Sequence, residues 1–269
     1  MNLSAEFNEP QTSGDFAPRN VGPDASSTPS RGRDYPAPAA LCRIAADPAL
    51  TEDSALALLK RQDLTAEVFE SLNKNSGVIQ SRKVKLAIAT HARAPRHISV
   101  PIVRSLFTFD LLHVALAPRV AADLKKAAED AIINRLETIS SGERLSLARR
   151  ASGNIAGALI IDAESRVVQA ALENSRLTEA LVIKSIFHRR ASEVAIHAIC
   201  RHPQWSARRE VRMALLRHQK TPLASTLKFA QSLPPKLVRE ILHASRLPTG
   251  IKACLLNHIS GHSENWPVI

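Results

Sequence analysis

One short signature recurs along the chain and constrains its fold more than any other feature. LLKRQDLTAEVF (58–69) aligns without gaps on ALENSRLTEALV (171–182), placing Leu59 on Leu172, Leu64 on Leu177 and Thr65 on Thr178. AIATHARAP (87–95) fits the same frame, with Ala89 on Leu172 and Pro95 on Thr178. HAICRHPQWS (197–206) fits it too, with His202 on Asn174, Trp205 on Leu177 and Ser206 on Thr178, and LARRASGNIAGAL (147–159) fits more loosely. The shared order is a helix end, a polar residue, two or three turn residues, one apolar residue, then Thr, Ser or Pro.

Each part has a physical reason. A polar side chain suits a helix C-terminus, where the last carbonyls lack partners. An apolar residue just before a cap staples onto the next helix. Thr or Ser accepts from the first free N–H groups of that helix, and Pro suits its first turn. The signature therefore marks helix–turn–helix junctions near 65, 95, 178 and 206, and Pro222 in HQKTPLAS marks another. Recurring helix pairs that cannot bury their faces alone must stack on their neighbours.

Composition agrees. Of 269 residues, 45% are hydrophobic, only 4% are aromatic and nine are glycine. A β-sandwich or barrel needs more aromatic and β-branched residues and more turn glycines. The spacing also predicts a helix of about 20 residues over Val120–Ile139, with Leu124, Ala128, Ala131, Leu136 and Ile139 inward.

Residues 1–38 differ. Six prolines, three glycines and sparse, aperiodic apolar residues cannot offset the entropy of ordering, so this stretch reads as a disordered tail. Phe7 and Phe16 are its candidate docking points, set against a plain solubilising leader. The repeat domain is expected over 39–262, with a short C-terminal tail at 263–269. The three cysteines, Cys42, Cys200 and Cys254, are far apart and argue against a disulfide framework or a thiolate zinc site. The sequence has no apolar run of membrane-spanning length and no signal-peptide pattern at its start, so a cytoplasmic location is expected.

Segments such as LARRASGNIAGAL and AALENSRLTEALV resemble the degenerate α-solenoids of bacteria, namely HEAT-like (armadillo-like) repeats and leucine-rich-repeat-variant proteins. They are similar also to a bacterial family of helical-repeat proteins. The resemblance covers roughly 41–260 and implies an all-α superhelix of stacked short helix pairs that binds along a concave face. It brings no catalytic residues. The period here is irregular, mostly 24 to 30 residues, and a regular HEAT-type Asp/Arg ladder is absent.

Charge is uneven. The chain carries +11, of which residues 201–269 hold eleven basic and three acidic side chains, a net of +8. Such a patch favours a polyanionic partner. In CRHPQWSARREVRMALLRHQK (200–220), Ser206 is expected to cap a helix reaching His218, with Ala207, Val211, Ala214 and Leu215 inward. Arg208, Arg209 and Arg212 would then share its outer face, flanked by Arg201, Arg217 and Lys220. Trp205 reads either as an exposed aromatic beside this cluster or as the stapled residue of the repeat, where Leu177 sits. Lys228, Lys236, Arg239, Arg246 and Lys252 form a second basic group.

Other candidates are weaker. Ser81-Arg82-Lys83-Val84-Lys85 puts cations at a helix start, against the helix dipole, and reads as a contact site or a solvated turn. Asp162 with Glu164, and Glu129 with Asp130, read as solvated surface rather than as an acid–base pair. Cys200 and His202 lack a second ligand pair. His197 and His243 are expected on partly buried stripes. No cofactor is implied.

Two function classes follow. The first is a non-catalytic scaffold that holds a protein partner, with an acidic partner as the case the charge favours. The second is a nucleic-acid-binding solenoid whose basic face tracks phosphates. Its enzymatic sub-case is a HEAT-like DNA glycosylase, which resembles this chain in charge and architecture but needs groove aromatics and a carboxylate.

Overall fold

In a computed structural model that describes residues 38–261, the junctions form as small hydrogen-bonded units with one geometry. At Asp47, His91, Asn174, His188 and His218 the side-chain acceptor takes the backbone N–H two residues on, at 2.8 to 3.2 Å. The same residue's carbonyl accepts the N–H three residues on, at 2.9 to 3.2 Å. Four residues on stands the N-cap of the next helix, namely Thr51, Pro95, Thr178, Ser192 and Pro222. The polar residue thus stops one helix and aims the chain into the next, as short polar side chains do in turns.

The caps themselves are mixed. Thr51 and Ser192 accept from backbone N–H groups inside their helices. Thr65 and Thr178, expected to do the same, make no cap bond, and the Thr65 hydroxyl is buried without a partner. Pro95 and Pro222 occupy the cap position rather than the first turn.

The helices in order begin with α1 (Pro38–Ala46), α2 (Glu52–Leu59), α3 (Ala66–Lys74), α4 (Ser76–Ile79), α5 (Arg82–Thr90) and α6 (Arg96–Ser105). Next come α7 (Thr108–Leu116), α8 (Ala122–Arg135), α9 (Ser141–Arg150), α10 (Gly153–Leu159), α11 (Ser165–Leu172) and α12 (Glu179–Ile186). The last are α13 (Glu193–Arg201), α14 (Pro203–Ser206), α15 (Arg209–Arg217), α16 (Leu223–Gln231), α17 (Pro235–His243) and α18 (Thr249–Gly261). The chain is all-α, and no strand occurs among the described residues. The expected tail with Phe7 and Phe16, and the stretch 263–269, lie outside the described residues.

Packing follows alternation along the chain. α1, α3, α6, α8, α10, α12, α15 and α17 pack in that order, each on the next. Opposite them run shorter series, α2–α5–α7, α9–α11–α13 and α16–α18. Contacts such as α7 with α8, α9 with α10 and α15 with α16 brace the two sides. Between them lies one continuous apolar core, to which each helix adds a stripe, such as Val84, Ile88 and Ala89 of α5 or Ala195, Ile196 and Ile199 of α13. Each buried aliphatic side chain contributes about 1.5–3 kcal/mol.

Polar side chains stitch consecutive repeats. Asn75 donates to the Ala45 and Asp47 carbonyls, and His91 Nε2 lies 2.9 Å from the Arg61 carbonyl. Trp205 Nε1 donates to the Leu172 carbonyl at 2.8 Å. Each reaches back to an end of an earlier helix, where unpaired carbonyls are exposed.

α8 is the longest described helix, but it has 14 residues rather than about 20. Val120 belongs to the junction before it, and Leu136 N–H bonds the Ile133 carbonyl in a tightened last turn. Arg135 turns to the Leu106 carbonyl at 2.6 Å. Its buried stripe is Leu124, Ala128 and Ile132, with Ala131, Leu136 and Ile139 only half-buried.

Candidate functional site

The basic C-terminal quarter is built differently from the sequence expectation at one point. Pro203 starts the four-residue helix α14, so Ser206 ends a helical turn and caps nothing. The cap of α15 is Arg208, without a side-chain cap bond. Ala207 is therefore outside the helix and exposed, while Val211, Ala214, Leu215 and Leu216 face inward.

This shift separates the three arginines. Arg208 Nη1 reaches Glu179 Oε2 at 3.2 Å, and its guanidinium lies 5.6 Å from the Trp205 ring centre. Arg212 turns back and donates to the Ser206 carbonyl at 2.7 Å. Arg209 stands exposed in the first turn of α15. Lys220 donates to the Ala191 carbonyl at 2.7 Å and ties two junctions together. Trp205 is 2% exposed, which removes it from the docking surface and makes it core.

What remains outward is a smaller set. Arg201, Arg209, Arg217, Lys228, Lys236, Arg239 and Arg246 are exposed, and none makes an ion pair among the described residues. Arg209, Arg217, Lys236 and Arg239 lie on α15 and α17, which pack on one another, whereas Arg201 and Lys228 sit on the opposite series. The described part of this quarter holds two carboxylates, Glu210 and Glu240.

Elsewhere some cations are matched across repeats, while others, such as Lys125, Lys126 and Lys184, make no ion pair among the described residues. Lys83 pairs with Glu52, Arg82 with Asp110, Arg96 with Asp123 and Arg208 with Glu179, each joining helices about one repeat apart. The basic run at 82–85 therefore has an internal explanation: Glu52 and Asp110 neutralise its first two cations. Hydrogen bonds from Lys83 and Ser81 hold the Glu52 carboxyl below its usual range. Past Arg208 this pattern of pairs stops.

A second feature went unread in the sequence. An open trough of about 1100 Å³ lies across α8, α10 and α12. Its floor is α10, which is short and carries small residues. A Cβ on Gly153 would stand 2.3 Å from the Arg176 carbonyl oxygen, and one on Gly157 would touch Leu181, so the glycines let α12 close onto α10. Ser185 seals this contact by donating to the Gly157 carbonyl at 2.8 Å. Glu137 and Arg190, 53 residues apart, pair across the trough's edge. The signal available in the sequence was GNIAGAL itself.

Asp162 and Glu164, expected on solvated surface, instead hold Arg144. Its Nε lies 2.9 Å from Asp162 and its Nη2 lies 2.8 Å from Glu164, with Asp162 only 10% exposed. Glu129 accepts from Asn154, while Asp130 is exposed. Neither pair is arranged as an acid and a base.

The sequence matches no protein-family model and no curated protein, and the fold matches no solved structure.

Burial pushes the Cys200 thiol up to about 11, against a Ser225 hydrogen bond and the Arg201 charge, so it is protonated at neutral pH and a poor nucleophile. No group of three or more His, Cys, Asp or Glu that could hold a metal occurs among the described residues. His197 is half-buried, whereas His243, expected to be so, is exposed. No described helix is long and apolar enough to cross a membrane. Phe107 is 66% exposed, with the Arg82 guanidinium 5.2 Å from its ring centre.

Proposed function

We propose that this chain is a non-catalytic binding scaffold, an α-solenoid of the HEAT-like kind whose basic C-terminal quarter holds an acidic segment of a protein partner. The alternating helix order and the bonds between neighbouring repeats support the solenoid. One observation carries the binding role. Cation–carboxylate pairing between repeats ends at Arg208, and Arg209, Arg217, Lys228, Lys236, Arg239 and Arg246 stand exposed beyond it, with Arg201 exposed just before it and the two carboxylates Glu210 and Glu240 among them. Unpaired like charges raise the local potential and draw an anionic partner.

Nucleic acid has less support. Non-specific strand binding draws on exposed aromatic rings for stacking, and the two aromatic residues of the described basic quarter, Trp205 and Phe229, are both buried, while the exposed rings of Phe107, Phe109 and Phe187 lie outside it. A glycosylase needs aromatics beside its basic groove, and the described basic quarter exposes none.

The test compares a labelled glutamate-rich peptide with labelled duplex and single-stranded DNA, using the wild type and Arg209→Glu/Arg217→Glu/Arg239→Glu. The scaffold reading expects the peptide to bind the wild type and to lose at least tenfold affinity in the variant. DNA binding that exceeds peptide binding and falls by orders of magnitude between low and moderate salt moves the assignment to nucleic acid. Binding of neither probe at low salt ends both readings.

A further inference from the structure

We propose that the acidic segment held by the C-terminal quarter carries aliphatic residues, which seat on Phe187, Val194 and Leu223 at one end of the helix stack. The inference rests on the binding role proposed above and specifies the chemistry of the partner.

Three turns make the site. α12, α15 and α17 pack in succession, so the turns after their C-termini stand in a row, about 8–10 Å from one to the next. Two bonds tie the row together. Lys220 Nζ donates to the Ala191 carbonyl at 2.7 Å, and the Arg246 N–H donates to the Arg217 carbonyl at 3.0 Å. Phe187 closes α12, Val194 lies in the first turn of α13 and Leu223 opens α16. They are 53%, 40% and 42% exposed, so each keeps about half of its surface against the fold. The three form a shallow apolar step that a segment of chain laid across it would cover.

Charge decides what that segment is. From the last turn of each of the three helices to the first turn of α13, α16 and α18, six cations make no ion pair among the described residues. They are Lys184, Arg189, Arg217, Lys220, Arg246 and Lys252. The carboxylates without an ion pair in the same stretches are Glu193 and Glu240. An excess of positive charge around an apolar step favours carboxylates between the partner's aliphatic residues and rejects a basic segment. Spacing agrees. Three residues of extended chain span about 10 Å, so an aliphatic residue at every third position meets one turn after another. A bilayer is less well served, because side chains half sunk in the fold insert poorly and Glu193 beside Val194 would face anionic headgroups.

The test uses the full chain and two labelled peptides of equal length and charge, one repeating Glu-Glu-Ser and the other Glu-Glu-Leu. The leucine peptide should bind at least tenfold more tightly. That advantage should vanish on Val194→Ser/Leu223→Ser and shrink on Phe187→Ser, while the serine peptide keeps its wild-type affinity. Circular dichroism checks that both variants stay folded. Arg209→Glu/Arg217→Glu/Arg239→Glu should weaken both peptides. Two results overturn the inference and leave the binding role standing. One is equal binding of the two peptides. The other is a leucine advantage that all three serine substitutions leave intact, since the leucines then sit elsewhere. Binding of neither peptide at low salt ends the inference together with the binding role. Two rival probes complete the set, namely vesicles of phosphatidylserine with phosphatidylcholine, and single-stranded DNA. Either one binding more tightly than the leucine peptide, with that binding lost in the serine variants, would overturn the inference and assign the three side chains to lipid or to nucleic acid.

Discussion

The side-chain amide of Asn174 lies 2.7 Å from the carbonyl oxygen of Ala148, at the end of the preceding helix pair. The same nitrogen reaches the Ala151 carbonyl, while Oδ1 accepts from the Arg176 backbone. At 5% exposure no water replaces these bonds when the amide is removed. Asn174→Ala should cost about 1–3 kcal/mol, read as a lower urea midpoint. Asp47→Ala removes the equivalent turn acceptor at an exposed position and should cost under about 1 kcal/mol. Equal losses would mean that the bridge between repeats adds nothing to the turn.

Two glycines separate close packing from helix propensity. Gly153→Ala forces a Cβ onto the Arg176 carbonyl, a backbone atom that cannot swing aside, and should destabilise by about 1–3 kcal/mol or more. Gly142 lies in α9, where a methyl group would meet no atom within 4 Å beyond its own chain neighbours and helix backbone, so Gly142→Ala should stabilise by about 0.5–1 kcal/mol. Thermal melts of the two variants should move in opposite directions.

Arg144 is 17% exposed and holds Asp162 and Glu164 while donating to the Ile139 carbonyl. Arg144→Ala strands a nearly buried carboxylate and should cost about 3 kcal/mol. Arg144→Met/Asp162→Leu removes both charges and should recover much of that loss. The double-mutant cycle measures the coupling, and additive effects would show that the pair does not interact.

His218 gives the fold a pH dependence. Burial lowers its pKa below the ordinary 6.5, and Lys220 and Arg246 lower it further. Its Nδ1 accepts from the Lys220 backbone, which only the neutral ring can do. The folded protein therefore binds the proton less well than the unfolded chain. Stability is full above about pH 6.5 and falls as pH drops from there toward the lowered folded value. His218→Asn keeps a turn acceptor, as at Asn174, and removes the titration. The variant should match the wild type at pH 8 and fall off less steeply between pH 6.5 and 5. An unchanged pH profile would assign the dependence to other groups, His202 first, since its pKa is also lowered by burial.

The junctions could be read from the sequence because their information is local. Five residues around Asn174 or His91 specify a stop, a turn and a restart, and the caps at Thr65, Pro95, Thr178 and Pro222 fall where the signature places them. The burial of Trp205 was readable as well, through its alignment on Leu177. The signature misplaced the cap at 206, because Pro203 is as good at starting a helix as at ending one, and α14 moved the cap to Arg208. Arg144 with Asp162, and Lys83 with Glu52, escaped because each pair joins helices that meet only after stacking. The trough escaped for the same reason. It is a space left by α10 between two longer-range neighbours, and no residue spacing records a space.

The alternating order of packing also bears on how the chain would yield to force. Every helix pair in substantial contact lies within three helices along the sequence, and the bridges from Asn75, His91, Asn174 and Trp205 span 23 to 33 residues. Pulled from its two ends, such a chain has no bond that shears the whole length at once. It should lengthen in a sawtooth, each tooth releasing one repeat's worth of contour, on the order of 100 Å for about thirty residues at full extension. The end whose last repeats lack interlocking ion pairs, past Arg208, should be the first to let go.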